Sequence, residues 1–162
     1  MKEIIRGREE PEWCGPATLA FSAREQGLPY PSQKDLAEKI YDPSWGTDGD
    51  AMIVGCRLLG LSGEWVQKEL DELNTLRKQG ASVIVSYMSG QNETEDGHYS
   101  VLSAVTEKIE ALQDPEWTGK ITIFRREDFE KIWFDMDEDG NRQERWALVI
   151  TKPYIILPTS GK

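Results

Sequence analysis

Residues 12–20 read EWCGPATLA and place a cysteine directly before Gly-Pro, where a helical pattern of apolar residues begins. Proline fixes φ near its helical value and lacks the N–H that a first helical turn leaves unpaired, so Pro16 suits the start of a helix. We therefore expect Cys14 at or just before a helix N-terminus. The N–H groups and the positive end of the helix dipole favour a thiolate there, which makes Cys14 the candidate nucleophile.

The composition limits the class of protein. The chain has 162 residues, the size of one domain, and we predict a single domain over residues 1–162. A net charge of −10 argues against nucleic acids and anionic membranes as partners, because both attract basic patches. No apolar run reaches the roughly 18 residues of a membrane helix. Residues 1–6 lack the apolar core of a signal peptide, so we expect a cytoplasmic protein. The sequence leaves the oligomeric state open.

Helical patterns dominate the first half of the chain, and strand patterns dominate the second. Apolar residues at helical spacing predict helices over residues 15–26, 32–40, 49–59, 67–79 and 128–134. Short β-type runs predict strands over residues 81–87, 98–105, 108–113, 121–124, 146–151 and 154–157. Ser32 and either Thr47 or Asp48 suit the caps of the second and third helices, and Gly60 suits the end of the third. Helices that precede strands indicate an α+β fold, with N-terminal helices packed on a C-terminal antiparallel sheet.

His98 is the only histidine of the chain and the candidate general base. It follows a polar loop over residues 88–97 and begins an apolar strand, a position from which side chains line clefts. An imidazole titrates near neutral pH, so it can take a proton from a thiol and return it to a leaving group. A hairpin of strands 98–105 and 108–113 would bring Asp114 beside His98. The carboxylate would then accept a hydrogen bond from the imidazole and orient it.

The remaining metal-binding and thiol residues have simpler interpretations. Cys56 lies on the apolar side of a predicted helix, so we assign it to the core. One histidine and two separated cysteines do not make a zinc site. Residues 135–140 match the first half of a calcium loop, but Trp146 stands where that loop needs Glu. We therefore interpret residues 135–140 as a solvated turn and expect neither a metal nor a cofactor.

Three motifs in this order resemble the papain-like cysteine peptidases. They are Cys14-Gly15-Pro16-Ala17 at a helix start, Gly97-His98-Tyr99 at a strand start and Asp114-Pro115 after a hairpin. Within that group the sequence is most similar to the bacteriocin-processing, or double-glycine, peptidase family. Gly46-Thr47 before a helix and the motif over residues 128–133 follow the same order. The resemblance covers about residues 13–133 and implies a papain-like fold.

The resemblance implies a role for each motif. Cys14 is the expected nucleophile, His98 the general base and acid, and Asp114 the residue that orients the imidazole. The family usually has a Gln six residues before the cysteine, and its side chain helps to form the oxyanion hole. This chain has Arg8 at that position. We therefore assign the oxyanion hole to the backbone N–H of Cys14 and to Arg8.

The sequence thus predicts a cysteine peptidase or amide hydrolase that forms an acyl-enzyme with a peptide or amide substrate. Trp13, beside the nucleophile, and Trp45, in a loop, are the candidate walls of the substrate cleft. Two alternatives stay open. Arg8 in place of the usual donor would suit a peptide-binding module without turnover. An acyl transferase would use the same chemistry with a different acceptor.

Overall fold

The computed structural model describes residues 9, 13–44, 46–88, 97–107, 109–113, 120–136 and 139–153. Four sequence predictions lie outside these residues: the roles of Arg8, Trp45 and Asp114, and the strand over residues 154–157.

Five helices and eight strands are found in the described part of the chain. The helices are α1 Cys14–Glu25, α2 Gln33–Ile40, α3 Gly49–Leu58, α4 Leu70–Lys78 and α5 Arg126–Ile132. The strands are β1 Ser62–Gln67, β2 Ser82–Met88, β3 Gly97–Val105, β4 Ile109–Gln113, β5 Ile121–Arg125, β6 Phe134–Met136, β7 Arg142–Glu144 and β8 Trp146–Thr151. The longest of these helices has 12 residues, and none has the length and apolarity that a bilayer crossing requires.

The α+β fold predicted from the sequence is confirmed. Six strands form one antiparallel sheet in the order β1-β8-β2-β3-β4-β5, and β6 and β7 form a separate hairpin. Strand β8 does not close an edge of the sheet. It lies in the interior, where it pairs with β1 on one side and with β2 on the other.

Helices cover both faces of this sheet. On the first face, α1, α2 and α3 pack on the alternate strand residues Ile84, Tyr99, Val101, Leu148 and Ile150. On the second face, α4 and α5 pack on Val83, Val85, Tyr87, Leu102, Leu112 and Ala147. Strand β2 is buried at every residue because both of its sides are covered, which explains its continuous apolar run.

Local signals place the helix starts. The Ser32 Oγ accepts the N–H of Asp35 at 3.2 Å and caps α2 as predicted. Of the two candidates for α3, Asp48 is the cap, since its Oδ1 accepts the N–H of Ala51 at 2.8 Å. Gly60 follows the end of α3 with a φ of 73°, a conformation that glycine adopts without strain.

Two predicted helices had wrong bounds. The fourth helix begins at Leu70 rather than at residue 67, because residues 62–67 form the edge strand β1. The fifth helix ends at Ile132, and the chain continues directly into β6. Edge strands and short hairpins bury few side chains, so the alternation of apolar and polar residues in their sequence is weak.

Candidate active site

Cys14 is the first residue of α1, and Trp13 is the N-cap. The carbonyl of Trp13 accepts the N–H of Ala17 at 3.0 Å. Pro16 occupies the third helical position rather than the first. That position is equally suitable, because a helix offers no acceptor to the N–H groups of its first turn. The half-buried Cys14 therefore has the helix-start setting that favours a thiolate.

The helix behind Cys14 is a rigid support. Residues 15–23 of α1 are all buried, and Cys14 packs against the same core. The Thr18 hydroxyl contacts the carbonyl oxygens of Cys14 at 2.8 Å and of Gly15 at 3.0 Å. The first turn is thus fixed by both packing and hydrogen bonding.

The second thiol has the opposite environment. Cys56 lies on α3 and is fully buried in the core between α3 and the first face of the sheet. Burial raises the pKa of the Cys56 thiol to about 11, although a hydrogen bond to the backbone offsets part of the rise. Cys56 is therefore an unreactive core residue, as the sequence indicated.

His98 is the second residue of β3 and lies on the second face of the sheet. It pairs across the sheet with Tyr87, which is buried beneath α4 and α5. The two rings meet edge to face, with centroids 5.6 Å apart and an interplanar angle of 86°. Tyr87 thereby fixes one side of the half-buried imidazole.

Tyr99, the next residue of β3, lies on the first face and joins β3 to the loop before α3. Its hydroxyl donates a 2.8 Å hydrogen bond to the carbonyl of Thr47. Burial raises the pKa of Tyr99 well above its ordinary value, and negative charges at Cys14, Asp135 and Asp48 add to the rise. Cys14 packs against the core cluster that contains Tyr99, the residue that directly follows His98.

The glycine after the cysteine permits a close approach of Thr47. A Cβ on Gly15 would lie 2.8 Å from the Thr47 Cβ and 2.9 Å from its Oγ1, closer than a side chain can fit. The Cys-Gly-Pro motif therefore has a packing reason as well as a helix-start reason. Gly15 lets the loop before α3 touch the first turn of α1.

A carboxylate that the sequence assigned to a solvated turn lies against the start of β3. Asp135 belongs to β6, and its Oδ2 accepts the Ser86 hydroxyl at 2.7 Å. Its Oδ1 accepts the N–H of Met136 at 2.8 Å. The same carboxylate faces Gly97, where a Cβ would lie 2.8 Å from Oδ1. The solvated-turn interpretation was wrong for Asp135 because the β6–β7 hairpin folds back onto the end of β2.

The hairpin on which the Asp114 prediction depends is present. Strands β3 and β4 are antiparallel, and β4 ends at Gln113, which pairs with Val101. Among the described residues, no three His, Cys, Asp or Glu side chains converge as a metal site.

Four residues near the site were given no catalytic or binding role from the sequence: Thr47, Ser86, Tyr99 and Asp135. Thr47 and Tyr99 lie inside the quoted motifs, but their contact spans 52 positions. The contact between Ser86 and Asp135 spans 49 positions. A local sequence pattern cannot predict contacts between residues so far apart. The sequence-based signal lay in two glycines, since Gly15 lies against Thr47 and Gly97 lies against Asp135.

We expect Gly97→Ala to lower the free energy of unfolding by about 1–3 kcal/mol, the usual cost of overpacking. The new methyl group would displace the Asp135 carboxylate, which two hydrogen bonds hold in place. Urea denaturation measures the change.

The Asp135→Ala variant provides the control background for this prediction. Without the carboxylate, Gly97→Ala should cost less than half as much. An equal cost in both backgrounds would show that the contact between Gly97 and Asp135 does not limit this position.

The cysteine lies at the start of a buried helix that packs on an antiparallel sheet. Strand β3 of this sheet begins with Gly-His-Tyr. This arrangement is that of a papain-like cysteine peptidase fold. The sequence profile of the Peptidase C39 family matches residues 2–136. The chain therefore belongs to the peptidase C39 family. None of the curated proteins matches the sequence.

Solved structures support the same fold. The peptidase domain of Streptococcus ComA, a bi-functional ABC transporter involved in a quorum sensing pathway, superposes with a TM-score of 0.71 at 19% identity, over 94% of this chain and 100% of that chain. A double glycine motif protease from an AMS/PCAT transporter, in complex with a leader peptide, gives 0.66 at 14% identity, over 93% of each chain. A C39-like peptidase from Bacillus anthracis gives 0.66 at 15% identity, over 94% and 99%. The resemblance inferred from the three motifs is thus confirmed at the level of family and fold.

Proposed function

We propose that this chain is a cytoplasmic cysteine peptidase or amide hydrolase that uses Cys14 as nucleophile, His98 as general base and acid, and Asp114 to orient the imidazole. One observation carries the proposal: in a member of the peptidase C39 family, Cys14 begins a buried helix and packs against the core cluster that contains Tyr99, the neighbour of His98. Helix-start thiols beside an imidazole are the usual activated cysteine nucleophiles.

The reaction would proceed in two steps. The Cys14 thiolate attacks the carbonyl carbon, and the C–N bond breaks as the His98 imidazolium gives its proton to the leaving amine. A water molecule then attacks the thioester carbon while His98 accepts a proton from it. The C–S bond breaks, which releases the carboxylic acid and restores the Cys14 thiolate and the His98 imidazolium. The backbone N–H of Cys14 and the guanidinium of Arg8 would stabilise the oxyanion in both steps.

The faces of the sheet suggest where the two groups would meet. His98 contacts Tyr87 on the second face, whereas Cys14 packs with the helices of the first face. In this proposal the thiol and the imidazole therefore approach each other beyond the Gly97 end of β3, not across the sheet. Gly97 itself carries no side chain, and the Asp135 carboxylate occupies the space beside it. Catalytic hydrogen bonds of this kind often shorten only when substrate is bound.

A peptide is the substrate class that best fits the comparisons. One structural relative was solved in complex with a leader peptide. Trp13, which is half-buried beside Cys14, and Trp45 would form walls of the cleft. The net charge of −10 argues against a nucleic acid partner. No cofactor is needed, because the thiol and the imidazole supply the nucleophile and the proton transfers.

Iodoacetamide labelling at pH 6.5 tests the proposal. We expect rapid alkylation of Cys14, a rate that falls roughly 10- to 100-fold in His98→Ala, and no labelling of native Cys56. Peptide mapping by mass spectrometry assigns the label to each thiol. Cys56 is the internal control, because burial raises its pKa to about 11. Equal labelling of both thiols, or a Cys14 rate that His98→Ala leaves unchanged, would contradict the proposal.

Arg8 in place of the usual glutamine favours one alternative, a peptide-binding module without turnover. Removal of an oxyanion donor costs roughly 10²- to 10³-fold in rate where it has been tested. The two functions differ in whether an acyl-enzyme forms. Mass spectrometry after addition of p-nitrophenyl acetate would detect an acetyl group on Cys14 in the enzyme but not in the binding module. Added amines that capture the acetyl group would indicate an acyl transferase.

A further inference from the structure

Two contacts in series connect the strand of the proposed base to the helix of the proposed nucleophile. The Tyr99 hydroxyl donates to the Thr47 carbonyl at 2.8 Å, and both residues are buried. The Thr47 side chain in turn packs directly on Gly15, the residue after Cys14. A single buried path therefore leads from β3 through the loop before α3 to the first turn of α1.

We propose that Tyr99 and Thr47 form a latch that sets the position of Cys14 relative to His98, with Tyr99 as a positioning residue of the peptidase site. The inference rests on the proposed function, because it concerns the geometry of the same thiol and imidazole. Tyr99 shares its backbone with His98, so a change in the latch moves the base as well as the loop.

Each part of the latch is fixed from outside. Thr47 directly precedes Asp48, whose side chain caps α3 and so holds the loop. The ring of Tyr99 packs beside the ring of Trp65, with centroids 6.3 Å apart. Trp65 itself donates to the carbonyl of Gly49 in the first turn of α3 at 2.9 Å. The loop is therefore anchored directly after Thr47, where α3 begins, and can transmit its position to Gly15.

The Thr47 side chain acts through its shape. Its Oγ1 is buried and has no hydrogen-bond partner in the described part of the chain. An unsatisfied buried hydroxyl lowers stability, so hydrogen bonding does not explain this side chain. Its Cβ, Oγ1 and Cγ2 atoms all contact the space above Gly15. The Thr47 carbonyl accepts the hydrogen bond from Tyr99, and the Thr47 side chain packs against Gly15 at the start of α1.

The Tyr99 hydroxyl stays protonated and therefore remains a hydrogen-bond donor to Thr47. Burial holds the pKa of Tyr99 well above its ordinary value, and the three nearby negative charges act in the same direction. The hydroxyl consequently stays protonated wherever a thiol and an imidazole exchange a proton. The latch remains closed throughout the working pH range of the proposed peptidase.

The Tyr99→Phe variant tests the latch, since it removes one oxygen and keeps the ring. We expect the rate of Cys14 acetylation by p-nitrophenyl acetate to fall roughly 10- to 100-fold, the effect of a small misplacement of reacting groups. The concentration of ester giving half-maximal rate should stay within about twofold, because the bond does not touch the ester. Thr47→Ala keeps the carbonyl and removes the packing on Gly15, and we expect the same direction of change.

Gln26→Met is the matched control at the other end of α1. Gln26 is buried and donates to the Gly80 carbonyl at 2.9 Å, so its loss also removes a bond from a buried side chain to a carbonyl. We expect Tyr99→Phe and Gln26→Met each to have a lower Tm than the wild type. Only Gln26→Met should keep the wild-type acetylation rate. An equal loss of rate in Gln26→Met would overturn the latch, since general loosening of α1 would then explain the effect.

The outcomes also separate the latch from the proposed function. A wild-type protein that reacts in a His98-dependent manner, together with an unchanged rate in Tyr99→Phe, overturns the latch alone. A wild-type Cys14 whose reactivity does not depend on His98 overturns both. A His98-dependent rate that falls in Tyr99→Phe and in Thr47→Ala, but not in Gln26→Met, supports the latch.

Discussion

Replacement of Cys14 by alanine is expected to abolish peptide hydrolysis, with a fall in kcat of roughly 10⁴-fold or more and no loss of fold. The proposed reaction has no second nucleophile, because the thioester forms on this sulfur. Cys14 is only half-buried at the start of α1, so the smaller side chain disturbs little packing. Digestion of a mixed peptide library, followed by mass spectrometry, measures the loss of activity.

The Cys56→Ala variant is the control for this prediction. Cys56 is fully buried, and its sulfur lies 2.6 Å from the place where a Cβ on Gly63 would stand. Its removal should lower the free energy of unfolding by about 1 kcal/mol and leave hydrolysis intact. Hydrolysis that persists in a Cys14→Ala preparation at the wild-type rate would show that another group attacks the substrate.

Replacement of Trp133 by alanine is expected to lower the free energy of unfolding by about 3–5 kcal/mol. Trp133 is 1% exposed and packs against Phe129 with ring centroids 5.4 Å apart. Its indole N–H also donates to the Trp146 carbonyl at 3.1 Å, which ties the end of α5 to the start of β8. A cost of this size is a large part of the 5–15 kcal/mol that typically stabilises a domain. Urea denaturation gives the value.

Trp133→Phe separates the two contributions. Phenylalanine keeps an aromatic ring between α5 and the sheet but removes the N–H, so the Trp146 carbonyl loses its donor. We expect a smaller loss, about 1–3 kcal/mol, from the missing hydrogen bond and the smaller ring. A Trp133→Ala variant within 1 kcal/mol of wild type would mean that this ring does not organise the second face of the sheet.

Features with a local cause were predictable from the sequence. Ser32 caps its helix as expected, because a cap needs only a side chain and a backbone N–H three residues later. The position of Cys14 at the start of α1 followed from Gly-Pro in the same way. The β3–β4 hairpin was predictable as well, since its two strands are neighbours in the sequence.

Features that depend on distant partners were not predictable. Strand β1 was missed because its neighbour among the described strands is β8, which lies far away in the sequence. Trp65 of β1 pairs with Leu148 of β8, more than 80 positions later. Asp135 was assigned to a solvated turn over residues 135–140, because its hydrogen-bond partner Ser86 lies 49 positions away in the sequence. The latch formed by Tyr99 and Thr47 was invisible for the same reason.

The interior position of β8 has a consequence for the order in which the protein can form. Strands β1 and β2 do not pair with each other and are joined only through β8. A chain emerging from the ribosome presents α1 and the thiol early, but residues 146–151 late. A domain generally folds as a unit, and pairings between residues far apart in the sequence form slowly. The nascent polypeptide therefore carries its nucleophile before it has a continuous sheet to support it, and the proposed peptidase matures only after its eighth strand has been translated.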